Sequence, residues 1–317
     1  MTTNPRGLRD IFKNDKWLWI PGIIIAIILT LVIRGQQGRD QMPKITEEPT
    51  VSVYFHETGE IKSMPLETYL EGVVAAEMEP TWPLQALEAQ AIVARTFTMK
   101  KLDGGNLPGK NAQASTDPKE FQAYNASRVN DRVKEAVRNT RGQVITYKGQ
   151  PIMAWFHAAS GGKTASAVEG LNFRKESTPY VTPVRDVQTE PVQSWRYTFT
   201  NDAVSRACAA LGTEVGHVTS VRIGRKGPSG RAETLIVNGK EFSAPSFRLA
   251  IGDRQMKSTL LDEFRMEGDS VYVRGRGDGH GVGMSQWGAW LLAQRGKSAK
   301  DIVNYYYKDV EIRHLWE

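Results

Sequence analysis

The sequence predicts an α+β fold in which a single N-terminal transmembrane helix precedes a domain of mixed helices and antiparallel strands. Three observations predict it. Residues 17–33 form an uncharged apolar run, residues 66–78 and 84–102 follow helical patterns, and several short segments alternate between apolar and polar residues beside turn signals. The 317 residues suffice for a substantial core, and no internal repeat divides them.

The apolar run at 17–33 begins with Trp17 and Trp19, a residue type that favours the membrane interface, and its length is at the short end of the spanning range. A cleaved signal peptide is the alternative. Residues 34–40 lack a small-residue cleavage pattern, so we expect the helix to remain as an anchor.

The basic residues that flank this helix orient it only weakly, but a short tail before a large domain favours a C-terminal part outside the cytoplasm. The predicted organisation is a cytoplasmic tail at 1–16, a signal-anchor helix at 17–33, a polar linker at 34–50 and an extracytoplasmic domain at 51–317.

The chain is mildly basic, with 41 lysines and arginines against 35 acidic residues. Its basic residues are spread along the chain and form no tract, which argues against nucleic-acid binding and suits attraction to an anionic wall polymer. Cys208 is the only cysteine, which excludes an internal disulfide and any metal site made of several cysteines.

The first half of the domain begins with a predicted β-hairpin. Residues 51–55 alternate as a strand, residues 57–59 form the turn, and residues 60–64 return. Two helices follow at 66–78 and 84–102, because the prolines between them force a break. A glycine-containing loop at 103–109, a helix at 129–140 and strands at 143–147 and 152–156 come next.

The second half continues the same mixture of elements. Asn238 and Gly239 directly follow an apolar segment and are a strong hairpin signal. A glycine-rich loop joins the last predicted strand to the last predicted helix. The elements are a helix at 202–211, strands at 218–223 and 232–237, a helix at 244–251, a strand at 271–274 and a helix at 285–295.

The helix at 84–102 places a carboxylate on its own apolar stripe. At about 100° per residue, Glu88 shares one sector with Leu84, Ala91, Arg95 and Met99. Desolvation raises the pKa of such an acid, whereas a nearby arginine lowers it. Two interpretations follow: a structural Glu88–Arg95 ion pair, which the burial pattern alone favours, or an acid held for catalysis.

Three further segments accompany this helix: residues 64–78, residues 156–162 with the sequence Phe-His-Ala-Ala-Ser-Gly-Gly, and the glycine-rich residues 277–289. Together with residues 84–99, they resemble the stage II sporulation protein D family of peptidoglycan lytic transglycosylases. The similarity runs from about Val51 to the C-terminus. Several motifs in the same order make the resemblance more specific than any one of them.

The resemblance implies a membrane-anchored enzyme that cleaves the MurNAc-β-1,4-GlcNAc bond of glycan strands stripped of stem peptides and leaves 1,6-anhydroMurNAc ends. It also implies action in septal thinning and engulfment during endospore formation, at the engulfing membrane of the mother cell. The expected partners are peptidoglycan glycan strands, the membrane, a wall amidase and a second membrane-anchored sporulation protein. The alternative is a non-catalytic wall-binding module that stimulates an amidase.

Such an enzyme needs one carboxyl group, because the C6 hydroxyl of the sugar replaces water and a single glutamate serves as acid and then as base. We predict Glu88 as this catalytic residue, since a partly apolar wall can raise its pKa. Glu77, within Val-Val-Ala-Ala-Glu-Met, is the rival acid or an assisting group. Glu67 and Glu71 lie four residues apart on a polar face and are predicted to be solvated.

The predicted substrate-binding side chains are Arg95, His157, Ser160, His280, Ser285, Gln286 and Glu77. Ser160 has no Gly-x-Ser-x-Gly elbow, which argues against a nucleophilic serine. His157 is either a sugar contact or a structural residue. Some relatives pair a histidine at this point with cysteines to hold zinc; no cysteine follows it closely in this chain, so we predict no metal and no cofactor. Trp287 and Trp290 are predicted either to cover an apolar sugar face or to pack in the core.

Overall fold

The computed structural model describes residue 45, residues 47–187 and residues 194–317. Of the described chain, residues 45, 47–147, 151–187 and 194–317 belong to one compact unit. The predicted cytoplasmic tail, the transmembrane helix at 17–33 and most of the linker lie outside the described residues. Among the helices that are described, none has both the length and the apolar character needed to cross a bilayer.

The described chain is a mixture of helices and strands, as the sequence predicts. The helices are α1 (Leu66–Glu77), α2 (Leu84–Leu102), α3 (Asp131–Asn139), α4 (Ala167–Leu171), α5 (Asn201–Ala210), α6 (Ala244–Ile251), α7 (Gln286–Gln294) and α8 (Ala299–Tyr306), with one 3₁₀ turn at Ala126–Arg128. The strands are β1 (Thr50–Tyr54), β2 (Ile61–Pro65), β3 (Ala114–Ser115), β4 (Gln143–Tyr147), β5 (Gln150–Pro151), β6 (Phe156–His157), β7 (Ser194–Thr200), β8 (Val221–Ile223), β9 (Thr234–Val237), β10 (Lys240–Ser243), β11 (Leu261–Glu267), β12 (Ser270–Arg276), β13 (Met284–Ser285) and β14 (Glu311–His314).

The larger core is built around α2. Helices α1, α3, α7 and α8 and strand β4 pack against α2, and its side chains from Ala86 to Met99 are buried except for Glu88. The prediction of an amphipathic helix with one apolar stripe is therefore wrong. Small side chains such as Ala89 and Ala94 let neighbouring elements approach α2 from several sides, so the helix is enclosed rather than laid on a surface.

A second core lies within residues 194–276. Its two three-stranded antiparallel sheets have the strand orders β10-β9-β8 and β11-β12-β7. Helices α5 and α6 cover them, and Phe199, Phe247 and Phe264 are among the buried side chains. Asn238 has a positive φ of 47° in the β9–β10 turn, as the Asn-Gly hairpin signal predicts. We call this region the C-terminal lobe.

Two strand pairs depart from the predicted antiparallel pattern. β3 joins the β1–β2 hairpin in parallel with β1, and β6 pairs in parallel with β13, so that His157 lies beside Ser285. The predicted strand at 152–156 is reduced to Phe156 and His157, whereas β7, β11, β14, α4 and α8 are elements that the sequence patterns did not indicate. The parallel β6–β13 pair joins two of the motif segments.

Candidate active site

A cavity of about 670 Å³ lies where the larger core meets α6 of the C-terminal lobe. The larger core contributes Glu77 at the end of α1, Phe97 of α2 and the segment around Gln122. The C-terminal lobe contributes Arg248 and its neighbours at the end of α6, including Leu249, whose side chain is strongly exposed. His157 and His280 also line the cavity, which therefore unites residues from all four motif segments.

Three carboxyl groups of the described chain line this cavity, those of Asp253, Asp278 and Glu77, and Glu77 is the candidate acid. It is the last residue of α1, where the partial negative charge of the helix end disfavours a second negative charge. The backbone N–H of Ala123 donates to its Oε1 at 3.0 Å, and Nε2 of Gln286 is 3.4 Å from its Oε2. Desolvation raises the pKa of Glu77 to about 7, although both hydrogen bonds act in the opposite direction. A substantial fraction of Glu77 therefore keeps its proton near neutral pH.

Two neutral histidines lie near this acid on the cavity wall. The rings of His157 and His280 are 5.8 Å apart. Burial lowers the pKa of His157 well below its usual value, with further contributions from His280 and Arg231. Burial, together with Arg248 and Arg231, lowers the pKa of His280 to about 3. Neither ring therefore competes with Glu77 as the proton donor at neutral pH.

The protonated nitrogen of each ring follows from its backbone contacts. Nδ1 of His157 is 3.2 Å from the carbonyl oxygen of Val282, so this nitrogen carries the proton and donates. In His280, Nδ1 accepts from the backbone N–H of Val282 at 3.0 Å and is unprotonated. Consequently Nε2 of His157 is a hydrogen-bond acceptor; it is buried and has no partner within the described part of the chain.

The glycine-rich loop shapes this wall by close backbone packing. Gly279 has φ of +98°, and a Cβ atom there would lie 2.8 Å from the Cβ of His157. Gly283 has φ of +73°, and a Cβ atom there would lie 1.9 Å from the carbonyl oxygen of Trp155. The glycines thus allow the loop to press against β6 and to fix the histidine positions.

Three buried polar atoms on residues of this cavity make no hydrogen bond within the described part of the chain. They are Oε1 of Gln122, Nε2 of His157 and Nε of Arg248. Buried polar groups are normally satisfied, so these three atoms are available to a ligand. Two acceptors and one cationic donor beside a protonated carboxyl group suit a ligand rich in hydroxyl and amide groups.

Glu88 lies elsewhere. It is half-buried, its Oε1 accepts from Nδ2 of Asn139 at 2.9 Å, and it does not line the cavity. Arg95 does not pair with it. The fully buried Arg95 guanidinium donates to both carboxylate oxygens of Glu67, at 3.0 and 2.6 Å. The predicted Glu88–Arg95 ion pair is therefore wrong, and so is the prediction that Glu67 is solvated.

Of the other predicted site residues, Gln286 contacts the acid, whereas the two serines have structural partners. Oγ of Ser160 donates to a carboxylate oxygen of Asp186 at 2.6 Å, and the hydroxyl group of Tyr306 donates to the other at 2.6 Å. Oγ of Ser285 accepts from the backbone N–H of Gly288 and caps α7. Both serine side chains are buried and lie outside the cavity lining.

The tryptophans form a cluster of their own. Trp82 packs against Trp287 with ring centroids 4.9 Å apart and against Trp290 at 6.4 Å, and all three stay partly exposed. The described residues contain no group of three or more His, Cys, Asp or Glu side chains that could hold a metal ion. Cys208 is buried in the C-terminal lobe, where burial raises the pKa of its thiol to about 11.

Two residues that line the cavity, Gln122 and Arg248, were not predicted from the sequence. Gln122 lies in an irregular segment with no motif, and Arg248 is the one basic residue in the last turn of an otherwise ordinary helix. Nothing in the periodicity of either segment indicates a ligand. Gln122 reaches the cavity because its neighbour Ala123 donates to Glu77, and Arg248 reaches it because the C-terminal lobe packs against the larger core.

Comparison with known proteins gives related sequences over most of the chain. Residues 54–147, which include α1, α2 and α3, match the stage II sporulation protein family model. Stage II sporulation protein D of Bacillus amyloliquefaciens is 31% identical over 296 residues, covering 88% of this chain and 83% of that protein. Stage II sporulation protein D of Bacillus subtilis (strain 168) is 30% identical over 277 residues, covering 83% and 78%. A protein named amidase enhancer, also from Bacillus subtilis, is 26% identical over 289 residues and is matched over 39% of its length.

Proposed function

The chain belongs to the stage II sporulation protein D family, and from that premise we propose that it is a peptidoglycan lytic transglycosylase whose acid is Glu77. The proposed substrate is a glycan strand freed of stem peptides, cut at the MurNAc-β-1,4-GlcNAc bond. One observation carries the proposal: the cavity joins the motif segments around a carboxyl group whose pKa, raised to about 7, lets a substantial fraction of it carry a proton near neutral pH.

The proposed reaction uses the Glu77 carboxyl group twice, first as an acid and then as a base. Glu77 gives its proton to the glycosidic oxygen, and the bond from that oxygen to C1 of the muramic acid breaks with its electron pair on the departing oxygen. The Glu77 carboxylate then takes the proton of the C6 hydroxyl as O6 bonds to C1. The products are a 1,6-anhydromuramoyl end and a strand with a free hydroxyl group, and no water is consumed.

The surroundings of Glu77 support this use of one acid. Nε2 of Gln286 and the backbone N–H of Ala123 offer hydrogen bonds to the carboxylate that forms after the first step. The acceptors Oε1 of Gln122 and Nε2 of His157 suit hydroxyl or acetamide N–H groups of the sugar. These side chains would hold the glycan while a single carboxyl group moves the proton.

Glu88, predicted from the helix pattern, is the weaker candidate for this role. Its carboxylate is bound by the Asn139 amide on a partly exposed surface outside the cavity. A general acid must reach the oxygen that it protonates, and it works best when its pKa is near the working pH. Glu77 combines the cavity with the raised pKa.

For cellular placement we propose the arrangement that the sequence suggests: residues 17–33 as an anchor, with the described domain outside the cytoplasm. The proposal rests on the uncharged run between Trp17 and Ile33. In that position the enzyme would act on septal peptidoglycan during engulfment, beside an amidase that removes stem peptides and a second membrane-anchored sporulation protein.

A second candidate is a non-catalytic wall-binding module that stimulates an amidase. The relative named amidase enhancer favours it, although this chain covers 39% of that protein. The partly exposed tryptophan cluster and the cavity would then bind the wall without cleaving it. The two candidates differ in their products: only the transglycosylase makes anhydro ends without an amidase.

The test is product analysis with the purified full-length chain on peptide-free glycan strands in isotope-labelled water. We expect 1,6-anhydromuramoyl ends without incorporation of labelled oxygen, and no requirement for an amidase. Reducing ends that carry labelled oxygen would mean hydrolysis. Release of wall fragments only when an amidase is added would establish the second candidate.

A further inference from the structure

Arg248 is a buried cation that forms no close ion pair with any described residue. Its side chain is 8% exposed, and its Nε makes no hydrogen bond within the described residues. No carboxylate in the described chain is within 4.0 Å of its guanidinium nitrogens, whereas the similarly buried Arg95 donates to both oxygens of Glu67. Asp253 and Asp278 attract this charge without bonding to the guanidinium group, and a ligand carboxylate in direct contact would compensate the buried charge more fully.

The position of Arg248 connects two cavities. It lies in the last turn of α6 and lines the cavity of Glu77. It also lines an adjoining cavity of about 390 Å³ whose other lining residues are all charged: Asp253, Arg254, Lys257 and Asp278. Lys257 and Asp278 form an ion pair at 3.7 Å, so Arg248 and Arg254 face one further carboxylate, that of Asp253. Three cations against two carboxylates leave this region with one surplus positive charge.

We propose that Arg248 binds the free lactyl carboxylate of a peptide-free muramic acid residue next to the bond that is cleaved. This inference rests on the proposed function. Muramic acid carries a lactyl ether whose carboxyl group forms an amide with the stem peptide or, once the peptide is removed, is an anion. A guanidinium group matches such a carboxylate with two parallel N–H donors, whereas an amide offers one neutral oxygen.

This arrangement makes Arg248 a specificity residue. The sugar that carries the carboxylate would lie against the wall shared with His280, and the glycosidic oxygen would lie toward Glu77. A stem peptide at the same place would add bulk and replace the anion with a neutral amide facing a buried cation. The cavity would therefore select glycan strands by the charge of one substituent, without a contact to any peptide.

The experiment compares two chemically matched glycans with the full-length protein. One is a peptide-free strand with free lactyl carboxylates, and the other is the same strand after conversion of those groups to methylamides. We expect the specificity constant for release of anhydro ends to be about 10- to 100-fold higher for the carboxylate form, as a charge-assisted hydrogen bond supplies. Equal constants for the two glycans would overturn the proposal.

The variant Arg248→Gln should remove most of this preference, because cleavage of the carboxylate form should slow much more than cleavage of the methylamide form. Arg222→Gln is the matched control, because Arg222 is an exposed arginine of β8 in the same lobe and outside both cavities. Equal slowing on both glycans would mean that Arg248 supports the fold and does not read the carboxylate. If Arg248→Gln does not fold, the preference of the wild-type protein for the carboxylate glycan over the methylamide glycan is the deciding measurement.

Binding separates this inference from the proposed function. If the wild-type protein cuts neither glycan, the lytic activity is wrong, and calorimetric titration with the same two strands still tests Arg248. Tighter binding of the carboxylate form, lost in Arg248→Gln, would support the carboxylate site on a non-catalytic protein. Equal binding of both strands, or binding of neither, would reject it.

Discussion

Glu77 and Glu88 lie on consecutive helices and are both half-buried, but their surroundings differ. Glu77 ends α1, faces a cavity and has a pKa raised to about 7 by burial. Glu88 lies near the start of α2, partly exposed and bound by the Asn139 amide. A carboxyl group on the apolar stripe of a helix can act as a catalytic acid only if the fold places that side of the helix against a cavity.

A second difference concerns Arg95, which the helical pattern places in the same sector as Glu88. Arg95 points away from Glu88 into the core, where Glu67 compensates its charge and the backbone oxygen of Gln143 accepts a further hydrogen bond at 3.1 Å. Glu67 also accepts from the backbone N–H of Gly142 at 3.1 Å. This pair joins α1, α2 and the start of β4, so the buried ion pair of the fold and the acid of the cavity occupy opposite ends of α1.

The largest expected effect is on catalysis. Glu77→Gln keeps the shape of the side chain but removes the transferable proton, so we expect release of anhydro ends to fall by about 10²- to 10⁴-fold. Glu88→Gln should change it by no more than about twofold, because surface substitutions away from a site have small effects. The measurement is the initial rate on peptide-free glycan.

Circular dichroism and glycan binding serve as controls for both variants, and each should remain close to the wild type. A large loss of activity in Glu88→Gln with near-normal cleavage by Glu77→Gln would reverse the comparison. It would return the catalytic role to the residue predicted from the helix pattern.

The next effect is on stability and concerns Arg95. Glu67→Gln leaves the buried guanidinium without its carboxylate, so we expect the free energy of unfolding to fall by roughly 3 kcal/mol or more. Urea titration of the full-length protein, followed by tryptophan fluorescence, measures it. Glu88→Gln is the control, with an expected change within about 0.5 kcal/mol. If Glu88→Gln were the more destabilising variant, the Arg95 contact would have been assigned to the wrong acid.

The sequence was a good guide to local structure. The prolines between α1 and α2 and the Asn-Gly turn have effects that act within a few residues, and the start of α2 at Leu84 and the turn at Asn238 follow the prediction. The enclosure of α2 was not predictable in this way. Periodicity reports one apolar face, and a helix rich in alanine can be covered on several sides by neighbours that are distant in the sequence.

The site was predictable only where a motif contains the functional group. Gln286 and His280 lie in the glycine-rich segment and His157 in the Phe-His segment, and the β6–β13 pair brings these segments together. Arg248 reaches the cavity because a whole lobe packs against the larger core, which no local pattern encodes. The proposal of Glu77 rather than Glu88 as the acid depends on the desolvation that raises the pKa of Glu77. Desolvation is a property of the assembled cavity.

The smallest expected effect tests how the surroundings set the acid. Glu77 must be protonated to act, and its pKa is about 7, so activity should fall as the pH rises through about 7. The hydrogen bond from Gln286 favours the carboxylate and lowers that pKa. Gln286→Leu removes the donor while keeping an extended side chain, so the alkaline decline should move to higher pH. At low pH the rate should drop by about threefold, since the newly formed carboxylate loses one donor.

The matched control is Gln85→Leu, which changes an exposed glutamine of α2 near Glu88 and should leave the pH profile unchanged. A shift to lower pH in Gln286→Leu would mean that Gln286 stabilises the protonated acid, and equal shifts in both variants would mean that the decline does not report Glu77.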